Sequence, residues 1–558
     1  MADNSILAPP AGSEGGAGDT TSAPLPGPRT LSDHWTGIEA VLDRLGDFTN
    51  PILVKESRQA MKSRQFVITF SLLMIFGWLW TTIYIAFGVP AIFYKPFGPY
   101  VLMGYYVVLS IPLLIVVPYA AFRSLAGERE DGTYELLSIT TLSARQIILG
   151  KLGSSILQML VYYSALAPCI AFTYMVGGID VLTIGMFLGY TFLASLLLSI
   201  FGLLMATVTR ARHWQILLSV VLVMALLVFT FIWDFTILAI FGNRQSLPFE
   251  ESQFWMGNLC LLSFYVPLAL LALELAAGQI TFASENRSTP IRALLVVPQF
   301  LLVGWFIYYW LRFDNPDLLY VLVTLLGIYW AVIGSFLTGE TAQLSPRAKR
   351  RLPQSFVGRM AFTWFNPGSG TGYIFAMLNL MAALLITVEA AVLTYTFDYA
   401  YRPDEPEWYC YVVCILGYVL GYIGLVRLAI VGLRQFTHVG MLATFLSQVV
   451  VAASVVLFPY LLHAVSVWGD FSNSYYTVLQ LPNWFWTLIE VVERGAWGGV
   501  YYAIVIGTCG FLVFLVNLIF AAREVEHVRT TAPQRVIEDE LALHTRGEQQ
   551  KRSGPWDE

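Results

Sequence analysis

Apolar residues run through this chain in long blocks separated by short polar breaks. Each block is long enough to cross about 30 Å of hydrocarbon at 1.5 Å per residue. The blocks fall at 66–89, 101–122, 149–176, 182–208, 214–241, 257–279, 293–311, 318–337, 373–397, 409–432, 438–464 and 498–521. They predict an all-α, polytopic integral membrane protein with about 12 transmembrane helices. The stretch 482–494, PNWFWTLIEVVER, is too short and too charged to span, and reads as an amphipathic helix on the membrane surface.

A second amphipathic stretch precedes the first block, TNPILVKESRQAMKSRQF at 49–66. Asn50 is a good N-cap and Pro51 suits the first helical position. On a helical wheel Leu53, Val54, Ser57, Ala60 and Met61 share one arc, while Lys55, Arg58, Gln59 and Lys62 share the other. The pattern predicts a helix in the membrane interface with its basic groups toward lipid phosphates. A plain basic anchor beside the first span fits it equally.

Composition agrees with the pattern. Of 558 residues, 57% are hydrophobic and 12% charged, about half the charged share of a soluble domain. The location of the charges says more than their net value. With the N-terminus inside and the blocks alternating, only Lys95, Arg244, Arg312, Arg402 and Arg494 of the 32 lysines and arginines fall outside. This positive-inside asymmetry predicts both termini in the cytoplasm. Trp305, Tyr308, Tyr309 and Trp310 fall at a predicted outer end and fit an interfacial aromatic belt. Residues 1–45 read as a disordered cytoplasmic tail, its first part rich in Pro, Gly, Ala and Ser, and 522–558 as a charged cytoplasmic tail.

Little conventional chemistry is visible. The five cysteines all lie in apolar blocks, and the six histidines show no metal-ligand spacing. No metal site, cofactor, catalytic cluster or nucleic-acid partner is expected, so the chain reads as something other than an enzyme.

Charge concentrates in the loop between the second and third blocks, at GEREDGTYEL, 127–136. A mere connector has no need of the length of 123–148. Two motifs, NPILVKESRQAMKSR before the first span and EREDGTYELLSITTLSARQIILGK after the second, resemble permease subunits of type-2 ATP-binding cassette (ABC) exporters. The matching features are Glu128-Arg129-Glu130, Gly132-Thr133, Glu135 and Gly150-Lys151. Ala144 stands where the family often has proline. The resemblance covers roughly 45–240, one six-span unit.

The resemblance implies a division of labour. Residues 46–65 would form an interfacial connecting helix carrying Lys55, Glu56, Arg58, Lys62 and Arg64. The loop 123–148 would carry a coupling helix that docks on a separate ATPase, through Glu128, Arg129, Glu130, Gly132, Thr133 and Glu135, or that braces against the connecting helix. Such a permease works with a second permease copy or paralogue and with membrane lipid. ATP and Mg would be bound by the partner. This fits the sequence, which contains no G-x-x-x-x-G-K-[ST]. The nearest Gly-rich stretch, NPGSGTGY at 366–373, reads as a flexible cytoplasmic loop. The expected location is the cytoplasmic (plasma) membrane of a bacterium.

The region 66–241 would then be the permease core and 242–521 an additional transmembrane module. A degenerate second copy is the other reading, since Leu344-Ser345-Pro346-Arg347 echoes Leu142-Ser143-Ala144-Arg145. Two carboxylates, Glu274 and Glu389, fall inside predicted spans. Glu389 should face protein or water, as a proton relay or as a packing residue, while Glu274 is close enough to the inner interface to snorkel. An ion-coupled secondary transporter using Glu389 is the competing function.

Overall fold

The computed structural model describes residues 50–88, 98–130, 143–208, 212–243, 247–281, 285–341, 363–397, 406–437, 439–466, 476, 478–493, 496–529 and 542–543. No described residue lies in a strand. Twelve described helices are long and apolar enough to cross a membrane, one for each predicted block. The chain is thus an all-α, membrane-spanning protein.

A short helix, α1 (Pro51–Lys62), comes first, with the Asn50 side chain accepting from Ile52 N at its start. The spans of the first half follow: α2 (Arg64–Gly88), α3 (Gly98–Glu130), α4 (Ala144–Val176), α5 (Val181–Val208), α6 (Arg212–Asn243) and α7 (Ser252–Ile280). The second half holds α8 (Ser288–Phe313), α9 (Asp317–Leu337), α10 (Ser369–Phe397), α11 (Pro406–Leu433) and α12 (Met441–Ser466). It ends with a short α13 (Trp484–Glu493) and the last span, α14 (Ala496–Arg529). The helix predicted at 482–494 is therefore present as α13. Its buried residues Thr487, Leu488, Glu490 and Val491 pack it onto α11, α12 and α14.

The two halves share one packing plan. In the first, α2 packs on α3 and α4; α3 on α4, α5 and α6; α4 on α5 and α7; and α5 on α6 and α7. In the second, α8 packs on α9 and α10; α9 on α10, α11 and α12; α10 on α11 and α14; and α11 on α12 and α14. Replacing α2 through α7 by α8 through α12 and α14, in order, converts one set of main contacts into the other. The spans from α8 onward therefore have the helix adjacency of a second six-span unit, and α7, inside the expected additional module 242–521, packs with the first. The halves join where α7 packs on α8.

Small residues close the central seams. A Cβ on Gly202 of α5 would stand 2.6 Å from the Pro118 carbonyl of α3, and one on Gly417 of α11 would stand 2.7 Å from the Ile506 carbonyl of α14. With hydrocarbon outside, such close backbone approach is a main source of helix association. Apolar cores fill both halves, one from Val303 to Ala521 and two stacked in the first half. Trp310, expected in the interfacial belt, is instead fully buried in the second-half core, whereas Tyr308 is exposed.

Three bounds differ from the sequence reading. The connecting helix ends at Lys62, short of 65. The loop expected over 123–148 is trimmed by helix on both sides, because α3 runs on to Glu130 and α4 starts at Ala144. Ser143 begins α4 with a reciprocal capping box, Ser143 accepting from Gln146 N and the Gln146 side chain accepting from Ser143 N. Residues 1–45, with Gly132, Thr133, Glu135 and the Leu344–Arg347 echo, lie outside the described residues.

Candidate functional site

Helix α1 lies against the start of α4. Two glycines make the seat. A Cβ on Gly150 would meet Ile52 Cβ and Cγ2 at 2.9 Å, and one on Gly153 would meet Leu53 Cδ1 at 2.8 Å. Asn50 Nδ2 donates to Gln146 O at 2.5 Å, tying the first residue of the pair to the first turn of α4. The buried residues of α1 are Ile52 and Glu56. Its contact face is therefore centred on Ile52 and Glu56, with Leu53 at its edge, rather than on the whole Leu53–Met61 apolar arc. Met61 is exposed, and the packing face is set by the glycine notch.

Beside the notch stands Lys151, whose side chain is 1% exposed. Its Nζ lies 3.1 Å from Glu56 Oε1 on α1 and 3.0 Å from Glu128 Oε2 at the end of α3. It also donates to Ser124 O at 3.2 Å. Glu128 Oε1 reaches Lys55 Nζ at 3.5 Å. Two cations and two anions from three helices thus form a neutral assembly, buried at Lys151, Glu56 and Glu128 and open to solvent at Lys55. Removing one partner from such a buried pair strands a charge and costs about 3–5 kcal/mol. The Lys55 contact is mostly solvent-exposed and contributes little.

Arg129 turns the other way. Its Nη1 donates to Ala206 O at 3.2 Å and Thr207 O at 2.9 Å, the last carbonyls of α5. A cation at a helix C-terminus satisfies orphan carbonyls and the negative end of the dipole. Of the residues expected to dock a partner, Glu128 and Arg129 therefore brace helices of this chain against one another, and Glu130 is exposed. Lys55, Arg58, Lys62 and Arg64 are exposed as expected of a basic interfacial face.

The second half carries its own assembly at the matching level. Arg292, fully buried at the start of α8, pairs with Glu340 just past α9 at 2.5 Å. Arg427 of α11 pairs with Glu524 of α14 at 3.0 Å and donates to Asn517 Oδ1 at 2.7 Å. All four grip the segment before and into α10. Arg292 donates to Trp364 O and to Gly368 O, Arg427 Nε donates to Ser369 Oγ at 3.1 Å, and Gly370 N donates to Glu524 Oε2 at 2.9 Å. The stretch 366–371, expected to be a flexible loop, is pinned from four helices. Arg434 closes the seam between α9 and α11 by donating to Gly339 O at 2.6 Å and Glu340 O at 3.2 Å, as Arg129 closes that between α3 and α5. Burial draws the Arg434 guanidinium below its usual pKa, and nearby Glu524 opposes this.

Of the two carboxylates expected inside spans, only Glu389 is placed otherwise than expected. Glu274 pairs with Arg145 at 2.7 Å, linking α7 to the start of α4. Glu389 lies on the exposed outer surface of α10, among exposed Leu385, Ile386 and Leu393, rather than toward protein. A third carboxylate, Asp234 of α6, escaped the sequence reading. Its Oδ2 lies 2.8 Å from Ser110 Oγ of α3. A charge count inside the predicted block 214–241 would have found it. Among the described residues no group of three or more His, Cys, Asp or Glu is placed to hold a metal ion.

No protein-family model, curated protein or solved structure matches this chain.

Proposed function

We propose that this protein is the transmembrane permease of an ABC-type exporter, moving substrate across a bacterial plasma membrane with energy from a separate ATPase. The observation that supports this most is the convergence of the motif residues. Glu56, Glu128, Gly150 and Lys151 are far apart in sequence, yet they meet in one buried assembly. It fixes the connecting helix, the end of α3 and the start of α4 as one rigid corner. The segment joining α3 to α4, which would carry the coupling helix, leaves from this corner.

The mechanics follow from rigidity. Force applied to a docked coupling helix passes into α3 and α4 together, because the corner cannot shear without stranding a charge. Nucleotide-driven closure of the ATPase then tilts spans as rigid bodies and switches access. Exposed Glu130 offers charge for register and on-rate at the docking surface. The charge asymmetry of the loops puts this face in the cytoplasm, where ATP is available. The matching six-span plan of the second half lets one chain supply both halves of a permease pair.

The test is purification of the tagged full chain from its native membranes. The expected result is a co-eluting ATPase whose ATP hydrolysis rises with the permease present. Glu130→Lys should remove it while membrane insertion and melting stay unchanged. Recovery of the permease without an ATPase, or an ATPase retained by Glu130→Lys, contradicts the docking assignment.

A further inference from the structure

Away from the inner corner, α3 and α6 enclose a polar cluster within the bilayer. Trp233 Nε1 donates to Tyr106 OH at 2.7 Å, and Tyr106 OH meets Thr191 Oγ1 of α5 at 2.5 Å. Thr191 Oγ1 donates to Phe187 O at 2.8 Å. This chain is saturated: each hydroxyl proton has an acceptor, and Tyr106 has none left for Asp234.

Asp234 is served differently. One oxygen, Oδ2, contacts Ser110 Oγ. The other, Oδ1, is buried and has no hydrogen-bond partner among the described residues. Ser110 Oγ is also 2.9 Å from Val107 O. A hydroxyl has a single proton, so Ser110 cannot donate to both. A neutral carboxyl gives both hydroxyl protons an acceptor, Asp234 donating from Oδ2 to Ser110 Oγ and Ser110 donating to Val107 O, and leaves Oδ1 unpartnered but uncharged. An anion leaves Val107 O without the serine and a charged oxygen unpaired in a low-dielectric seam, the costlier state.

The groups facing Asp234 do not supply a counter-charge. α3 presents Tyr106 and Ser110, and α5 presents Thr191; Asp234 itself makes no salt bridge among the described residues. The backbone is also unusual here. Just after Ser110, α3 makes a π-turn over Pro112–Val116, and Ser195 Oγ of α5 donates to its Leu113 carbonyl at 2.5 Å. Single π-turns inside α-helices recur at functional sites.

We propose that Asp234 is a proton-binding site, protonated when α3 and α6 are packed as seen here and ionised when that seam opens to water. The step balances simply. The carboxyl proton leaves to water, and the Ser110 hydroxyl turns from Val107 O to Oδ2 of the resulting carboxylate. Opening of the α3–α6 seam is thereby linked to proton release, and acid favours the packed arrangement. This inference stands independently of the ATPase reading.

Infrared difference spectroscopy on the full chain in lipid bilayers tests it. At about pH 5.5 an ordinary aspartate is ionised. Wild type minus Asp234→Asn should there show the C=O band of a protonated carboxyl, sensitive to deuterium exchange. Ser110→Ala, which removes the acceptor and keeps the carboxyl, should shift that band. Absence of the band from the difference overturns the proposal, as does a band indifferent to Ser110→Ala. Loss of the band on adding sodium at constant pH identifies a metal-cation site instead and also overturns it. Should Asp234→Asn fail to fold, the comparison of wild type with Ser110→Ala decides alone.

Discussion

Lys151 Nζ lies 3.0 Å from Glu128 Oε2, joining the start of one span to the end of the one before it. Because Glu56 shares the same ammonium at 3.1 Å, the connecting helix is held by the same charge. Lys151→Met should therefore strand two carboxylates. A loss of about 3–5 kcal/mol is expected in thermal or denaturant unfolding in detergent. Adding Glu56→Gln and Glu128→Gln should recover much of it, since the stranded charges are then gone. A triple variant no more stable than Lys151→Met would contradict the pairing.

Gly150 is needed for contact, not for backbone conformation. Gly150→Ala puts a methyl 2.9 Å from the branched Ile52 side chain, whose Cβ cannot swing away. The overpacking should cost about 1–3 kcal/mol and lift α1 from α4. Thiol labelling of Ile52→Cys, slow in the native background, should speed up markedly when combined with Gly150→Ala. An unchanged labelling rate would show that α1 does not rest on this notch.

Arg129 acts on the end of α5. Arg129→Gln should remove a cation from two terminal carbonyls and cost about 1–2 kcal/mol. Hydrogen exchange at Ala206–Val208 should rise while that of α4 stays level. Equal protection in both proteins would argue against the cap.

In the second half, Arg427→Met should free Ser369 and leave Glu524 with the Gly370 N–H and the charge of nearby Arg434. Exchange at residues 368–371 should rise, with a destabilisation of about 3 kcal/mol. A segment already exchanging freely in the wild type would restore the flexible-loop reading of NPGSGTGY.

The spans were legible because hydrocarbon demands about twenty apolar residues per crossing, a signal that no partner can override. What the spans touch was not legible. The arc of α1 from Leu53 to Met61 reads as one apolar face, but the α4 glycines seat Ile52 and Leu53 and Lys151 holds Glu56, while Met61 is exposed. Pro, Gly and Ser at 367–370 read as loose, because Arg292, Arg427 and Glu524 that hold them come from distant helices. Asp234 disappears in a block whose average is strongly apolar. The second six-span plan survives in helix adjacency while its sequence echo is four residues long.

Glu130 is the exposed end of α3, where the chain leaves the buried corner toward α4. A Glu130→Cys variant carrying a short photo-activated cross-linker measures both sidedness and contact in intact cells. The account predicts labelling only by reagents that reach the cytoplasm, and a cross-link to a nucleotide-binding polypeptide that strengthens with ATP. Labelling by a membrane-impermeant reagent added outside would place this corner where no ATPase works and contradict the account.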